Sequence, residues 1–191
     1  MNRALEDEIF RRYLVQDHAF LETGASVTGY AVGQAHTMDE KARLTDALSV
    51  LTGSENEYFE RTFDALDVPE VDQTNPPLTP TTRAFQDLML RAALEGGYEE
   101  TLTVTLAAEW VYLSWARHVE DQSPSRWYLD EWIETHAIPD FEEYVTWLRE
   151  QADRYGPKLS SKRQGRIDAL FEQVVELEAA FFDMAYEDGS T

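Results

Sequence analysis

A carboxylate stands in the middle of an apolar helical face near the carboxyl end of the chain. Counted at helical spacing, Glu178 shares one face of the last long segment with Ile167, Leu170, Phe171, Val174, Phe181, Phe182 and Ala185. A carboxylate on a face meant for burial loses its hydration, which costs free energy. The same burial raises its pKa, so Glu178 is suited to donate a proton near neutral pH.

Two further acids, Asp17 and Glu109, occupy apolar helical faces in the same way. The neighbours of Asp17 on its face are Phe10, Tyr13, Leu14, Phe20 and Leu21, and those of Glu109 are Leu102, Thr105, Leu106, Tyr112, Leu113 and Ala116. Each acid taken alone could also lie at the edge of its stripe or pair with an arginine. The three together predict a polar pocket inside a helical bundle, where side chains of facing helices converge on a ligand.

Metal binding is the first use to test for clustered carboxylates. Helical di-iron sites rely on Glu-x-x-His pairs, and none of His18, His36, His118 and His136 has a glutamate three residues before it. We therefore predict no metal and no cofactor, with a haem on His18 as an alternative. A catalytic serine triad cannot be read from spacing in a bundle, and no Gly-rich phosphate loop is present.

The charge of the chain excludes several classes of partner. The 191 residues include 37 acidic and 16 basic side chains, for a formal net charge of −21. Nucleic acids and anionic membranes both require a basic surface. No apolar run approaches the roughly 20 residues of a bilayer span, and the first residues lack a secretory apolar core, so we predict a cytoplasmic protein.

Composition also bears on the source and the chemistry. Acids in excess with only three lysines (Lys41, Lys158 and Lys162) are typical of a halophile, because concentrated salt screens the self-repulsion. Cysteine is absent, which excludes disulfides, thiolate metal sites and a cysteine nucleophile. The length predicts a single domain over residues 1–191.

Helical periodicity dominates the chain and predicts an all-α bundle of seven or eight helices. Proline and glycine mark the boundaries: Thr79 and Pro80 read as an N-cap and first turn, and Ser123 with Pro124 repeats that pattern. Asp140 with Glu143 resembles a capping box. The predicted helices span about 3–30, 36–51, 54–66, 79–96, 99–120, from 123, 140–156 and 160–186, and residues 67–78 form the longest loop.

Four short motifs resemble the TenA/thiaminase II family, in the family's order and across nearly the whole chain. They are Tyr13 to Asp17 with Phe20, Ala107 to Tyr112, Trp132 and Ile133 before His136, and Glu178 to Tyr186. The resemblance implies a haem-oxygenase-like all-α bundle and a homotetramer. It also implies salvage of the pyrimidine half of thiamine, in which aminomethyl-pyrimidine breakdown products are hydrolysed to hydroxymethyl-pyrimidine.

The resemblance assigns roles to individual residues. Asp17 matches the aspartate that binds the aminopyrimidine edge, and Glu178 matches the glutamate that acts as acid and base. The aromatic wall of the family corresponds to Phe20, Tyr112 and Phe181. Many members have tyrosines where this chain has Phe85 and His136, which changes the hydrogen bonds that hold the ring.

Two departures from the family pattern alter the expected mechanism. The cysteine nucleophile of the family falls at Ala108, so covalent attack from that position is excluded and water must be the nucleophile. A cysteine-free branch is thought to use a glutamate in this neighbourhood, and Glu109 is the candidate, although it points about 100° away on a helical wheel. The family's typical first helix precedes the Asp17 segment, and Met1 begins just after it.

These observations lead to one hypothesis and two alternatives. The chain is expected to hydrolyse an aminomethyl- or formylaminomethyl-pyrimidine, with Glu178 protonating the leaving nitrogen and Glu109 or Glu178 activating water. One alternative is a non-catalytic pyrimidine-binding or regulatory protein. The other is an oxidase on the same fold, as in the PqqC relatives.

Overall fold

The computed structural model describes residues 6–187, and this part of the chain is helical with no β-strand. It contains nine α-helices, one more than the upper number predicted. They are α1 Asp7–Gln34, α2 Met38–Val50, α3 Asn56–Ala65, α4 Glu70–Thr74, α5 Pro80–Glu95, α6 Tyr98–Val119, α7 Trp127–Ala137, α8 Pro139–Tyr155 and α9 Ser161–Met184. A π-helical segment, Leu51–Glu55, joins α2 to α3, and a 3₁₀ turn, Gly156–Lys158, follows α8.

Several predicted boundaries are confirmed. Thr79 caps α5 by accepting a hydrogen bond from the backbone N–H of Thr82, and Pro80 is the first helical residue. α5 ends at the predicted glycine pair, where Gly96 allows a close approach: a Cβ there would lie 2.4 Å from the carbonyl oxygen of Ala92. Ser160 caps α9 through the N–H of Arg163.

Other boundary predictions are wrong. α7 does not begin at Ser123 and Pro124, because the helix starts at Trp127 and no side chain caps it. The capping box at Asp140 and Glu143 is not formed either, since α8 begins one residue earlier, at Pro139. A capping box does form where none was predicted, at Thr37, whose hydroxyl and backbone N–H exchange hydrogen bonds with Glu40.

Helix lengths differ from the expectation at three further places. α1 continues past residue 30 to Gln34, and its predicted start at Arg3 lies outside the described residues. The predicted loop over residues 67–78 contains the short helix α4. The second and third helices are continuous through the π-helical segment rather than separated by a break.

α6 lies at the centre of the bundle, as its nearly all-round apolar sequence predicts. It packs against α1, α5, α7, α8 and α9, and most of its side chains from Tyr98 to Ala108 are buried. α1 and α9 flank it, and each presents its predicted apolar stripe inward. The buried members are Phe10, Tyr13, Leu14 and Leu21 from α1, and Leu170, Val174, Phe181 and the following Ala185 from α9. The three acids predicted to share a pocket therefore lie on helices that contact one another or a common neighbour.

No helix within residues 6–187 is long and apolar enough to cross a membrane. The division of the chain into domains stays a prediction, and so does the absence of the family's first helix.

Candidate active site

A cavity of about 50 Å³ lies between α1, the π-helical segment, α5, α6 and α7. Its lining combines acidic, aromatic and small side chains and, among the described residues, includes no lysine or arginine. The lining residues are Asp17, Phe20, Leu21, Gly24, Thr28, Leu51, Glu55, Met89, Thr105, Ala108, Glu109, Tyr112, Trp132 and His136. Five of the eight predicted site residues line it: Asp17, Phe20, Glu109, Tyr112 and His136.

Asp17 is held by a chain of phenol hydroxyls. The hydroxyl of Tyr112 donates to Oδ1 of Asp17 at 2.8 Å, and the hydroxyls of Tyr13 and Tyr112 are 2.8 Å apart. Because Tyr112 uses its proton on Asp17, Tyr13 is the donor in the second bond. Burial raises the pKa of Asp17 and these hydrogen bonds lower it; burial has the larger effect, and the resulting pKa is about 7. Asp17 is therefore a fixed carboxyl group that can change its charge near neutral pH.

Glu109 reaches the same cavity from α6, next to Ala108. Burial and then the charge of Asp17 raise the pKa of Glu109 to about 7. Its carboxyl group makes no hydrogen bond or ion pair within residues 6–187. The rotation of about 100° from the position of Ala108 does not keep Glu109 out of the cavity, because both residues line it.

Glu55 is a lining residue that sequence reasoning missed. It ends the π-helical segment Leu51–Glu55, in a stretch predicted as the junction of two helices. Burial, followed by the charges of Glu109 and Asp17, raises its pKa well above the usual value. The sequence did carry a signal for it: at helical spacing Glu55 shares one face with Leu51, Tyr58, Phe59, Thr62 and Phe63, and the last four of these are buried.

Glu178 lies deeper than the cavity wall. Its side chain is 1% exposed, and neither carboxyl oxygen has a hydrogen-bond partner within the described chain. Burial and then the charges of Asp17 and Glu109 raise its pKa well above the usual value. Burial therefore favours the protonated, neutral form of Glu178. The side chain lies close enough to Asp17 and Glu109 for their charges to act on it, but it does not line the cavity.

The predicted aromatic residues form two layers. Phe20 lines the cavity, and behind it lie Phe85 and Phe181, each about 1% exposed. The ring of Phe20 is 4.6 Å from that of Phe85 and 6.0 Å from that of Phe181, measured between centroids. Phe85 and Phe181 therefore support the wall rather than forming its surface. Trp132, which was quoted only as part of a motif, does line the cavity.

His136 contributes a neutral ring. Its Nδ1 donates to the carbonyl oxygen of Trp132 at 2.9 Å, which leaves Nε2 as the acceptor nitrogen. Burial lowers its pKa to about 4. Where family members have a hydroxyl group, this chain thus offers an uncharged acceptor beside the ring of Tyr112, with centroids 4.9 Å apart.

The arrangement defines the chemistry that the cavity can perform. Phe20, Tyr112 and Trp132 provide flat faces for a planar ring, and the carboxyl groups provide proton donors and acceptors near neutral pH. Within residues 6–187, no group of three or more histidine, aspartate and glutamate side chains is arranged to hold a metal ion.

Comparison with known proteins identifies one family and relatives that match nearly the whole chain. A family model described as TENA/THI-4/PQQC matches residues 3–188. A protein of Halalkalibacterium halodurans named aminopyrimidine aminohydrolase is 27% identical over 97% of this chain and 84% of its own length. A protein of the same name from Helicobacter pylori is 24% identical over 96% of this chain and 85% of its own length.

Solved structures agree on the fold. A TenA homologue from Pyrococcus furiosus superimposes with a TM-score of 0.86 at 21% identity, covering 96% of this chain and 86% of that one. A TenA homologue from P. horikoshii OT3 gives a TM-score of 0.82 at 24% identity, covering 95% and 84%. The predicted haem-oxygenase-like, all-α fold is confirmed.

Proposed function

The chain belongs to the TENA/THI-4/PQQC family, and from this premise we propose that it hydrolyses an aminomethyl- or formylaminomethyl-pyrimidine to the hydroxymethyl-pyrimidine in thiamine salvage. Two relatives that match nearly the whole chain are named aminopyrimidine aminohydrolases. The observation that carries the proposal is the position of Asp17: a carboxyl group oriented by Tyr112 inside a cavity with aromatic walls.

Asp17 binds the aminopyrimidine edge. A carboxyl group next to a 4-aminopyrimidine can accept from the amino group while it shares a proton with the neighbouring ring nitrogen, and such charge-assisted pairs are the stronger hydrogen bonds. The pKa of about 7 for Asp17 favours sharing of that proton. Tyr112 holds Oδ1, so the pair forms in one orientation.

The aromatic residues hold the pyrimidine ring. Phe20 and Tyr112 pack on its faces, with Phe85 and Phe181 fixing the position of Phe20. Nε2 of His136 accepts a hydrogen bond from the ring substituents. These contacts place the exocyclic CH₂–N bond toward the remaining carboxyl groups.

Water is the nucleophile in this mechanism, because Ala108 offers none. When the substrate binds, the carboxyl group of Glu178 turns from behind the cavity wall toward the leaving nitrogen and gives it a proton as the C–N bond breaks. Glu109 takes a proton from the attacking water as the C–O bond forms. The support for Glu178 is its protonated state together with the lack of a hydrogen-bond partner among the described residues. The proton on Glu109 then returns to Glu178 or to the released amine.

Ammonia release from aminomethyl-pyrimidine tests this function. Purified protein in 1 M KCl should release ammonia and form hydroxymethyl-pyrimidine in equal amounts. Glu178→Gln should lower kcat by about 100-fold or more, the usual size of a lost general acid, while the affinity for the pyrimidine is retained.

Glu176→Gln is the matched control, since Glu176 is exposed on the same helix. It should keep full activity. Binding of the pyrimidine without turnover by the unaltered protein would instead support a non-catalytic binding protein, and full activity of Glu178→Gln would overturn the role of Glu178.

The same proposal includes the assembly and location of the protein. The family resemblance favours a homotetramer. The apolar runs, which are shorter than a bilayer span, favour a location in the cytoplasm. Light scattering coupled to gel filtration in 1 M KCl measures the assembly, for which a mass near four times 22.0 kDa is expected.

A further inference from the structure

The π-helical segment carries Glu55 into the cavity. A π-helix has a wider turn than an α-helix, and π-helical turns occur frequently at functional sites. Leu51 and Glu55, its first and last residues, both line the cavity. The three residues between them do not, so the segment presents one apolar side chain and one acid to the site.

A hydrogen bond fixes this segment beside Asp17. Nε2 of His18 and Oδ1 of Asn56 are 3.1 Å apart, and these residues directly follow Asp17 and Glu55. The ring of His18 also packs between Phe59 and Phe63 of α3, with centroid distances of 5.2 Å to each. The link between α1 and α3 therefore holds the backbone at Glu55 close to the backbone at Asp17, and both side chains line the cavity.

Glu55 has no structural partner that would explain its position. Its side chain makes no hydrogen bond or ion pair with any described residue, and the facing acids Glu109 and Asp17 repel its charge. No lysine or arginine lines the cavity in the described part of the chain. In the empty cavity Glu55 therefore favours its protonated form, as Glu178 does, and a cation in the cavity would favour the ionised form and pair with it.

We propose that Glu55 binds the ammonium group of the substrate and selects a positively charged aminomethyl-pyrimidine over its neutral formyl derivative. This inference rests on the proposed function and narrows it to one substrate class. At neutral pH a primary amine is a cation, whereas a formylated nitrogen carries no charge. Glu55 and Glu109 approach the ammonium from opposite walls, while Asp17 holds the ring.

The reaction with this substrate balances without any co-reactant. The C–N bond breaks and its electron pair leaves with the nitrogen as ammonia. Water supplies the oxygen of the new C–O bond and loses a proton to Glu109. Glu178 gives its proton to the nitrogen as it leaves, and the proton on Glu109 then returns to Glu178, so R–CH₂–NH₃⁺ and water give R–CH₂–OH and NH₄⁺.

Glu55→Gln tests the inference, with Glu57→Gln as the matched control because Glu57 is exposed one turn into α3. The measurements are kcat/KM for aminomethyl- and formylaminomethyl-pyrimidine. Glu55→Gln should reduce kcat/KM for the amine by about 30-fold, as expected for loss of a charged hydrogen bond. The value of kcat/KM for the formyl compound should change by less than about threefold. Glu55→Asp, which keeps the charge, should recover part of the preference for the amine.

Calorimetric titration separates this inference from the proposed function. The unaltered protein should bind aminomethyl-pyrimidine more tightly than hydroxymethyl-pyrimidine, and Glu55→Gln should bind both equally. That preference without any turnover would leave the role of Glu55 standing while the hydrolase proposal fails. Equal losses for both substrates, or an unchanged preference in Glu55→Gln, would overturn the role of Glu55.

Discussion

At the scale of single residues, burial decides which groups carry charge. Asp17 and Glu109 have pKa values near 7 because burial opposes their ionisation, and Glu178 is held in its neutral form. Burial also keeps His136 neutral, because it lowers the pKa of the imidazole to about 4. The empty protein therefore contains acids that lower its stability when they ionise, as is common for residues kept for function.

The stability of the empty protein should fall as pH rises from 6.5 to 8.0. Asp17 has a pKa of about 7 in the folded protein and 3.8 as a free side chain, so the folded state binds more protons than the unfolded state in this pH range. The contribution of Asp17 to the free energy of unfolding is fully present below about pH 4 and is lost as the pH rises through 7. Glu109, whose pKa is also about 7, adds a loss of the same sign. Urea denaturation in 1 M KCl should show a decrease of about 1–2 kcal/mol over this interval from the two groups together.

Asp17→Asn is the control for this pH dependence. The asparagine oxygen can still accept from Tyr112, and the side chain no longer titrates, so the dependence should become flatter. His136 has the opposite effect on stability, because its pKa is lowered on folding from 6.5 to about 4. This effect changes little above pH 6.5, where the histidine is mostly neutral in the folded and the unfolded state. An Asp17→Asn variant with the same pH dependence as the unaltered protein would show that Asp17 does not titrate there.

At the scale of elements, ion pairs between helices fix α6 relative to α9. Arg163, in the first turn of α9, donates from Nε to Glu100 at 3.0 Å and from a terminal nitrogen to Glu99 at 2.9 Å. Glu100 is 2% exposed, while Arg163 is about 41% exposed. The side chain of Glu100 thus depends on Arg163 for its buried charge, and this contact sets the start of the helix that carries Glu178.

Arg163→Ala should therefore lower the free energy of unfolding by about 1–3 kcal/mol, the cost of leaving a buried charged group without its partner. The partial exposure of Arg163 keeps the effect at the low end of buried ion pairs. Urea denaturation measures it. Lys162→Ala, which changes an exposed neighbour, should stay within about 0.5 kcal/mol of the unaltered protein.

Helix ends show where local sequence decides structure. Thr79 caps α5 as predicted, and Ser160 caps α9 at the predicted start of that helix, because a cap needs only one side chain and the next turn of backbone. Ser123 and Pro124 carry the same signal and start no helix. Trp127 and Tyr128, which pack against Tyr58 and Phe10, move the start of α7 to residue 127 through tertiary contacts.

At the scale of the whole molecule, a net charge of −21 acts on every element. The charges of exposed acids repel one another over a Debye length of about 10 Å in 0.1 M salt and about 3 Å in 1 M salt. Self-repulsion of this kind destabilises the compact state. The assignment to a halophile stays a prediction, and it has a direct physical consequence.

The melting temperature should rise by at least about 5 °C between 0.1 and 2 M KCl, which corresponds to about 2 kcal/mol for a chain of this length. Calorimetry at pH 7 measures it. A variant with Glu150, Asp153, Glu172 and Glu176 changed to their amides should show a smaller rise, because these four acids are exposed. A melting temperature independent of salt would contradict the interpretation of the charge.

The amino-acid sequence by itself determined the fold class, most helix positions and the burial of Asp17 and Glu178. These features follow from apolar periodicity, which sets the inward face of each helix before any contact between helices is known. The absence of cysteine and the acidic composition, with their consequences for the nucleophile and the surface, also follow from the residues alone.

Only the tertiary structure decided which side chains line the cavity. It placed Glu109 at the wall, moved Glu178, Phe85 and Phe181 one layer behind it, and brought in Glu55. The reason is that lining depends on how far each helix lies from its neighbours and on local changes in helical turn. Helical spacing places Glu55 on the inward face of α3, but it does not tell that this face borders the same cavity as Asp17 and Glu109.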